Sequence, residues 1–230
     1  RAPQDPTTVG HHGRARRHIS RLAVAAEESR VTTVDHGRSV TIASRRRELN
    51  LAATGQEMYA RIARLYSICR SITGDGVRST LARIGAIAPL ELTEVPSGTP
   101  VFDWEVPREW NVREAWIADD SGRRIVDLRD HTLHLMSYSV PVDATMTLDE
   151  LRPHLHSIPE HPDWIPYRTS YYREDWGFCL THRVLESLRP GRYTVRIDST
   201  LAPGVLTYGE CVIRGAATDE VLVFTHVCPP

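Results

Sequence analysis

His226, near the C-terminal end of the sequence, is the residue best placed for metal chemistry. It directly follows residues 220–225, a run rich in apolar side chains that predicts a buried β-strand. Open α/β sheets place ligand and metal sites at the carboxyl ends of their strands. A catalytic zinc ion needs about three protein ligands and an open position for water. His226 is therefore a candidate zinc ligand whose partners must come from other loops. The alternative is a structural histidine at a strand end.

The segment 164–179 is a second candidate site because it is dense in aromatic and charged residues. Tyrosine and tryptophan combine an apolar ring with a polar tip, which suits them to recognition surfaces. On this interpretation Tyr171, Tyr172 and Trp176 bind substrate. In the alternative, the same rings form a small secondary core that holds a long loop in place. The sequence leaves both interpretations open.

His154, His156 and His161 form a third candidate, a cluster that could bind a metal ion. A His-x-His pair on a strand would place both rings on one face. However, Pro153 precedes the pair, and the region has helical features. We therefore favour solvent-exposed histidines over a metal cluster.

The turn at residues 73–78, Thr-Gly-Asp-Gly-Val-Arg, precedes a predicted helix. It lacks the length and the lysine of a phosphate-binding loop. We interpret it as the start of the helix, with Asp75 as the capping residue. The carboxylate of Asp75 could also face a cleft.

Hydrophobic periodicity predicts the elements that position these residues. Apolar residues at helical spacing predict one helix over 58–69 and a second over 77–88, which Pro89 ends. Thr147 and Glu150 have capping-box spacing for a helix that Pro153 keeps short. Residues 119–122 have the composition of a hairpin turn. Strands are predicted at 91–95, 101–106, 115–118, 124–128, 133–135, 193–197, 206–213 (with Gly209 as a bulge) and 220–225.

Composition excludes several kinds of function. All 28 basic residues are arginine, so lysine chemistry such as a Schiff base is absent. The net charge of -1 gives no overall attraction to polyanions, and no run of about 18 apolar residues predicts a membrane span. We therefore expect neither nucleic acid nor a membrane as partner. The four cysteines form no C-x-x-C pair, which favours a reduced, cytoplasmic setting.

Residues 1–54 differ from the rest of the chain. They carry clusters of arginine and histidine, few large apolar residues and no aromatic residue. This composition predicts a disordered basic leader. A solvated tail is favoured over a nucleic-acid contact, and a first residue other than methionine is consistent with a fragment or a misassigned start.

Many short strings within residues 55–228 resemble the DUF4910/DUF2172 family of bacterial aminopeptidase-like proteins. The longest is Ile68-Cys-Arg-Ser-Ile-Thr-Gly-Asp-Gly-Val-Arg78, preceded by Met58-Tyr59. Further strings with the same resemblance stand at 95–99, 101–107, 109–111, 137–143, 165–167, 169–172, 176–179, 206–210 and 225–228. Together these strings are specific to the family.

The resemblance implies an α/β fold of the M28 zinc exopeptidase type, in which a doubly wound peptidase domain carries an inserted β-rich (α+β) domain. Residues 55–111 would begin the peptidase domain, 112–189 would form the inserted domain, and 190–230 would return to the peptidase domain. Two zinc ions would polarise the scissile carbonyl and generate hydroxide from a bridging water. A glutamate would act as general base, and the substrate would be a peptide or a related amide.

Only one of the family's zinc ligands carries over to this sequence. In the family a strand ends in Thr-His-x-Cys-His-Pro, and its first histidine, which corresponds to His226, binds zinc. Pro229 stands where the family has the second histidine, and the downstream aspartate, acidic base and remaining ligands have no counterpart. The resemblance therefore covers only the N-terminal part of such an enzyme. We expect a truncated or frameshifted, inactive chain and name no catalytic residue.

Two further expectations follow from this reading. A last strand without neighbours on both sides predicts a marginally stable or aggregation-prone peptidase-like part. The alternative function is a non-enzymatic module that binds a peptide or a carbohydrate, or that mediates homo-oligomerisation.

Overall fold

The computed structural model describes residues 50–217 and 219–227. The chain divides into two units, Arg1–Leu51 and Ala52–Pro230. Most of the predicted disordered leader, residues 1–54, therefore lies outside the described residues. Its last four residues are helical, because the first described helix begins at Leu51.

The described fold is mixed α/β with several sheets. In chain order its elements are α1 (Leu51–Tyr66), α2 (Asp75–Gly85), β1 (Glu91–Pro96), β2 (Pro100–Val101), β3 (Trp104–Glu105), β4 (Glu109–Ala118), β5 (Arg124–Asp127), the 3₁₀ helix Thr132–His134, β6 (Val142–Thr147), α3 (Leu148–Leu151), the 3₁₀ helix Arg152–His154, β7 (Leu155–His156), β8 (Phe178–Cys179), α4 (His182–Ser187), β9 (Arg192–Ala202) and β10 (Val205–Glu210).

A four-stranded antiparallel sheet with the order β5-β4-β9-β6 forms the centre of the described structure. Alternate residues of β9, namely Tyr193, Val195 and Ile197, point to one face and are buried, as their period of two predicts. Ala115 and Ile117 of β4 join them in the hydrophobic core. The predicted strands at 115–118, 124–128 and 193–197 are thus confirmed.

The remaining strands form smaller pairs. The strands β1 and β10 make an antiparallel ribbon, β2 and β3 a tight hairpin, and β7 and β8 a short parallel pair. The predicted bulge at Gly209 is wrong, because Gly209 pairs with Leu92 in an unbroken register. A Cβ at position 209 would lie 3.1 Å from the side chain of Leu90 and 3.2 Å from that of Leu92, so the glycine makes room for packing.

A local signal predicted the short helix α3. The helix α3 begins with the predicted capping box, in which the Thr147 hydroxyl accepts from the Glu150 amide and the Glu150 carboxylate accepts from the Thr147 amide. It ends at Leu151, directly before the 3₁₀ turn that contains Pro153.

Two predicted strands are wrong. The run 101–106 is interrupted at Phe102 and Asp103, which form the turn of the β2–β3 hairpin, and Phe102 adopts a φ of 52°. Leu133 lies in a 3₁₀ helix, where the side chain of His131 accepts from its amide. In both places a short turn interrupts the predicted alternation.

The predicted strand at 220–225 is also absent. Residues 219–227 are described without regular structure, and Val221, Leu222, Val223 and Phe224 are exposed. A strand needs a partner for its backbone hydrogen bonds, and residues 50–217 offer none to this segment. The doubly wound parallel sheet implied by the resemblance is not seen in the described part of the chain and stays a prediction.

Helix α1 confirms a predicted helix but not its burial. Met58 and Ile62 lie on the same face, yet no residue of α1 is buried and both side chains are more than half exposed. At the C-terminal end, the Tyr66 hydroxyl lies 2.7 Å from Nε2 of His131. No helix in the described residues is long and apolar enough to span a bilayer.

Candidate substrate-binding site

A buried polar network joins the loop before α2 to the central sheet; we call it the junction. The side chain of Tyr138 is fully buried, and its hydroxyl lies 2.7 Å from Oγ1 of Thr73 and 3.4 Å from Oγ of Ser71. The amide of Trp110, in β4, also donates to Oγ1 of Thr73 at 3.2 Å. Three strings that carry the family resemblance therefore meet at one place.

Backbone strain at Tyr138 is held by hydrogen bonds at the next residue. Tyr138 adopts a φ of 69°, a left-handed conformation that is rare for aromatic residues. The carbonyl of Ser139 accepts from Nε1 of Trp110 at 2.9 Å and from Oγ of Ser199 at 2.8 Å. The hydroxyl of Ser139 accepts from the Gly177 amide. Such strain persists only where the surroundings fix the backbone, as they do here.

An ion pair closes the outer side of the junction. Arg78 donates two hydrogen bonds to the carboxylate of Glu109, at 2.6 and 3.0 Å, and a third to Asp75 at 2.6 Å. Glu109 also accepts from the Val205 amide and from the side-chain amide of Asn111. The hydrogen bonds from Arg78, aided by the other donors, lower the pKa of Glu109 to about 2 from 4.5.

The predicted helix-start turn at residues 73–78 is confirmed, but its cap is not Asp75. Gly74 occupies the capping position, and Oδ1 of Asn111 accepts from the Asp75 amide at 2.7 Å. The carboxylate of Asp75 instead accepts from Arg78. A residue of β4 thus caps α2, which fixes the helix to the sheet.

A polar cavity of about 310 Å³ opens beside the junction, between this loop, β4 and β9. Asp75 is among the residues that line it. Asp75 and Asp198, its two carboxylates, are paired with Arg78 and Arg113 respectively. Burial raises the pKa of the Cys69 thiol to about 11, which keeps it protonated at neutral pH. The cavity therefore presents neither an activated nucleophile nor an unpaired carboxylate as general base.

Of the three predicted substrate-binding residues, two are packed against other side chains and one is exposed to solvent. Tyr171 is half-buried and makes an edge contact with Tyr138, with ring centroids 4.7 Å apart. Trp176 is half-buried and stacks on His154 at 3.6 Å. Tyr172 is 67% exposed, and its hydroxyl donates to the carbonyl of Glu105 at 2.8 Å. Tyr171 and Trp176 thus fit the secondary-core interpretation, while Tyr172 has the exposure that a binding residue needs.

An exposed aromatic hairpin, which we did not predict, lies next to Tyr172. Phe102 is fully exposed and Trp104 is partly exposed. The alternating residues 101–106 predicted one continuous strand, which hid the hairpin. Pro100 and Pro107, which bracket the segment, were the available signal, since proline marks strand ends and turns.

The predicted metal ligands are not brought together. His226 is exposed, and among residues 50–217 and 219–227 no group of three histidine, cysteine or acidic side chains could hold a metal ion. His161 is exposed, as favoured, and stacks on Trp164 at 4.0 Å. His154 and His156 are half-buried rather than exposed, because they pack against the 164–179 segment. The role of His226 as a zinc ligand stays a prediction.

The central four-stranded sheet lies in a segment that matches a known protein family. Residues 109–200 match the family described as DUF2172, a domain of unknown function. This match runs from the first residue of β4 almost to the end of β9, so the segment that is similar to DUF2172 comprises the central sheet and its core. The predicted inserted domain, 112–189, lies within this span.

Two matches from Clostridium acetobutylicum, a protein sequence and a crystal structure, connect the chain to peptidase-like proteins. One, 52% identical over 181 residues, carries the provisional name of a polysaccharide biosynthesis protein with an aminopeptidase-like domain; the match covers 79% of this chain and 42% of the relative. The other is a crystal structure provisionally described as a peptidase, with 54% identity and a TM-score of 0.67, covering 69% of this chain and 37% of that chain. The family resemblance is thereby confirmed, and the chain spans about two fifths of these relatives.

Proposed function

We propose that this chain contributes to a zinc-dependent aminopeptidase-like hydrolase of the M28 type. The observation that carries the proposal is the identity of 52% over 181 residues with a protein named for an aminopeptidase-like domain. The substrate would be a peptide or a related amide, and His226 would be one of the zinc ligands. Further copies of the chain are candidate partners, and neither nucleic acid nor a membrane is proposed.

The described residues do not complete a zinc site. A catalytic zinc ion takes about three protein ligands, and no such group occurs in the described ranges. We therefore assign no catalytic step to this chain. Its contribution in our proposal is to shape the substrate cleft, with the exposed ring of Tyr172 on the surface and Tyr171 and Trp176 supporting it from below.

A non-enzymatic carbohydrate-binding module is the second candidate function. The exposed rings of Phe102, Trp164 and Tyr172 favour it, because aromatic faces pack well against apolar ligand surfaces. The name of one relative also refers to polysaccharide biosynthesis. A chain that binds oligosaccharides and gains no zinc-dependent activity in the experiments below would favour this candidate.

We expect His226→Ala to weaken zinc binding by a chimera in which this chain replaces the matching segment of the Clostridium acetobutylicum relative, whose remaining residues would supply the other ligands. Removing a first-sphere imidazole eliminates one of the few protein ligands, so we expect the affinity to fall about tenfold or more. Calorimetric titration with zinc chloride measures the change. His161→Ala is the matched control, since His161 is also exposed but lies against Trp164. Equal zinc affinity in the chimera with and without His226→Ala would contradict the assignment.

Activity is tested in a chimera, because the chain spans less than half of its relative. The segment of the Clostridium acetobutylicum relative that matches this chain is replaced by the corresponding residues of this chain. We expect zinc-dependent release of the amino-terminal residue from an aminoacyl p-nitroanilide, with kcat/KM lowered about 100-fold by His226→Ala. A folded relative and chimera that both lack this activity would refute the hydrolase proposal.

A further inference from the structure

The β2–β3 hairpin places four consecutive exposed side chains in solution: Phe102, Asp103, Trp104 and Glu105. Phe102 has the most unusual position of the four. It is fully exposed although apolar, and its φ of 52° lies in the left-handed region that aromatic residues rarely adopt. An exposed apolar ring on a strained backbone has no stabilising role in the fold, so a binding role is the better explanation.

The hairpin is held in place from both sides. Pro100 pairs with Glu105 and Val101 with Trp104. At its base the Val106 amide donates to the Thr99 carbonyl at 3.0 Å, and the Gly98 amide donates to the Val106 carbonyl at 2.8 Å. The Tyr172 hydroxyl donates to the Glu105 carbonyl, which joins the hairpin to the predicted substrate-binding segment. A backbone that is already fixed loses little conformational entropy when the hairpin binds a ligand.

The charges on the hairpin are of one sign and unpaired. Asp103 and Glu105 carry exposed carboxylates, and neither makes an ion pair with residues in the described ranges. Nearby, by contrast, Glu174 is paired with Arg108 at 2.7 Å. The aromatic faces of Trp104 and Tyr172 add to this negative potential, because a ring face attracts cations.

We propose that the hairpin tip, Phe102–Glu105, together with Tyr172, binds a cationic side chain of a peptide. The ring of Phe102 contacts the apolar part of the ligand, and Asp103 and Glu105 face its ammonium or guanidinium group. That this peptide would also be the substrate of the hydrolase rests on the proposed function. A neutral sugar could pack against the aromatic rings, but it would leave the two carboxylates, Asp103 and Glu105, without a cationic partner. A cationic peptide therefore fits better.

The test is binding of a labelled peptide to the full-length chain, measured by fluorescence anisotropy at low salt. The peptide has a free amino terminus and alternating leucine and arginine; in its matched control each arginine is replaced by citrulline, which is similar in shape but neutral. We expect the arginine peptide to bind about tenfold more tightly than the citrulline peptide, with a preference that falls as salt rises.

Variants locate the binding to the hairpin. We expect Phe102→Gly to weaken binding of the arginine peptide about tenfold while leaving the folded state intact, because glycine adopts a φ of 52° without strain. Asp103→Asn should weaken it about threefold. Tyr59→Ala, which removes an exposed ring of α1, should leave affinity unchanged.

Two outcomes would overturn the proposal. One is equal affinity for the arginine and citrulline peptides, or no affinity for either. The other is binding of maltohexaose that Phe102→Gly abolishes, without binding of the arginine peptide, which would identify a carbohydrate site. Neither measurement needs zinc or turnover, so failure here is distinguishable from failure of the hydrolase proposal.

Discussion

Gly74→Ala is expected to lower the free energy of unfolding by about 3–5 kcal/mol. Gly74 has a φ of 92° and a ψ of -179°, a region open essentially to glycine alone. A Cβ at this position would overlap the backbone carbonyl oxygen of Trp110 and lie 2.7 Å from Oδ1 of Asn111. The substitution would therefore separate the loop from β4 and remove the cap of α2. Urea denaturation followed by circular dichroism measures the loss.

Gly55→Ala is the matched control for this substitution. Gly55 lies within α1, and a Cβ there would meet no atom within 4 Å. Alanine should leave stability unchanged or raise it by about 0.5–1 kcal/mol, because glycine in a helix loses more backbone entropy on folding. Similar stability for the Gly74→Ala and wild-type chains would mean that the close approach of the loop to β4 does not exist in solution.

Glu109→Gln is expected to cost about 2–3 kcal/mol at neutral pH, and the cost should vanish in acid. The folded-state pKa of Glu109, about 2, is below its ordinary value of 4.5. Its contribution to stability is therefore fully present above about pH 4.5 and is lost as the pH falls towards 2. Glutamine cannot ionise, so the difference between the wild type and the variant should shrink across that interval. Urea denaturation at a series of pH values gives both curves.

A second carboxylate separates this effect from general acid sensitivity. Asp163 pairs with Arg183 at the surface, where both side chains are about two-thirds exposed. Asp163→Asn should cause no measurable loss of stability, since exposed ion pairs contribute little. A difference between wild type and Glu109→Gln that stays constant down to pH 2 would show that the carboxylate acts through shape and not through charge.

The sequence predicted structural features whose residues lie close together in the chain. The capping box of Thr147 and Glu150 spans four positions, and the alternation of Tyr193, Val195 and Ile197 spans five, so a local reading contains all the information. The cap of α2 is different, because Asn111 lies 36 residues after Asp75. Contacts of this kind depend on how the sheet packs and have no local signature.

The candidate site shows the same division. Tyr172 was predicted as a binding residue from the composition of its segment, and its exposure agrees with that role, although binding itself stays a prediction. The composition could not separate it from Tyr171, because the contact of Tyr171 with Tyr138 joins distant parts of the chain. Phe102 was not predicted as a binding residue, because the sequence pattern predicted one strand over 101–106 where the structure has a two-residue turn. The role of His226 as a zinc ligand was inferred from its position after the predicted strand 220–225 and from the family resemblance, and it stays a prediction.

The exposed helix α1 implies that the chain does not unfold as one cooperative unit. With no buried residue to stabilise it, α1 can open locally while the central sheet stays intact. Its amide hydrogens should therefore exchange with solvent deuterium much earlier than those of β9, whose Val195 and Ile197 lie at the centre of the core. A protease would likewise cut within α1 before it cuts the central sheet.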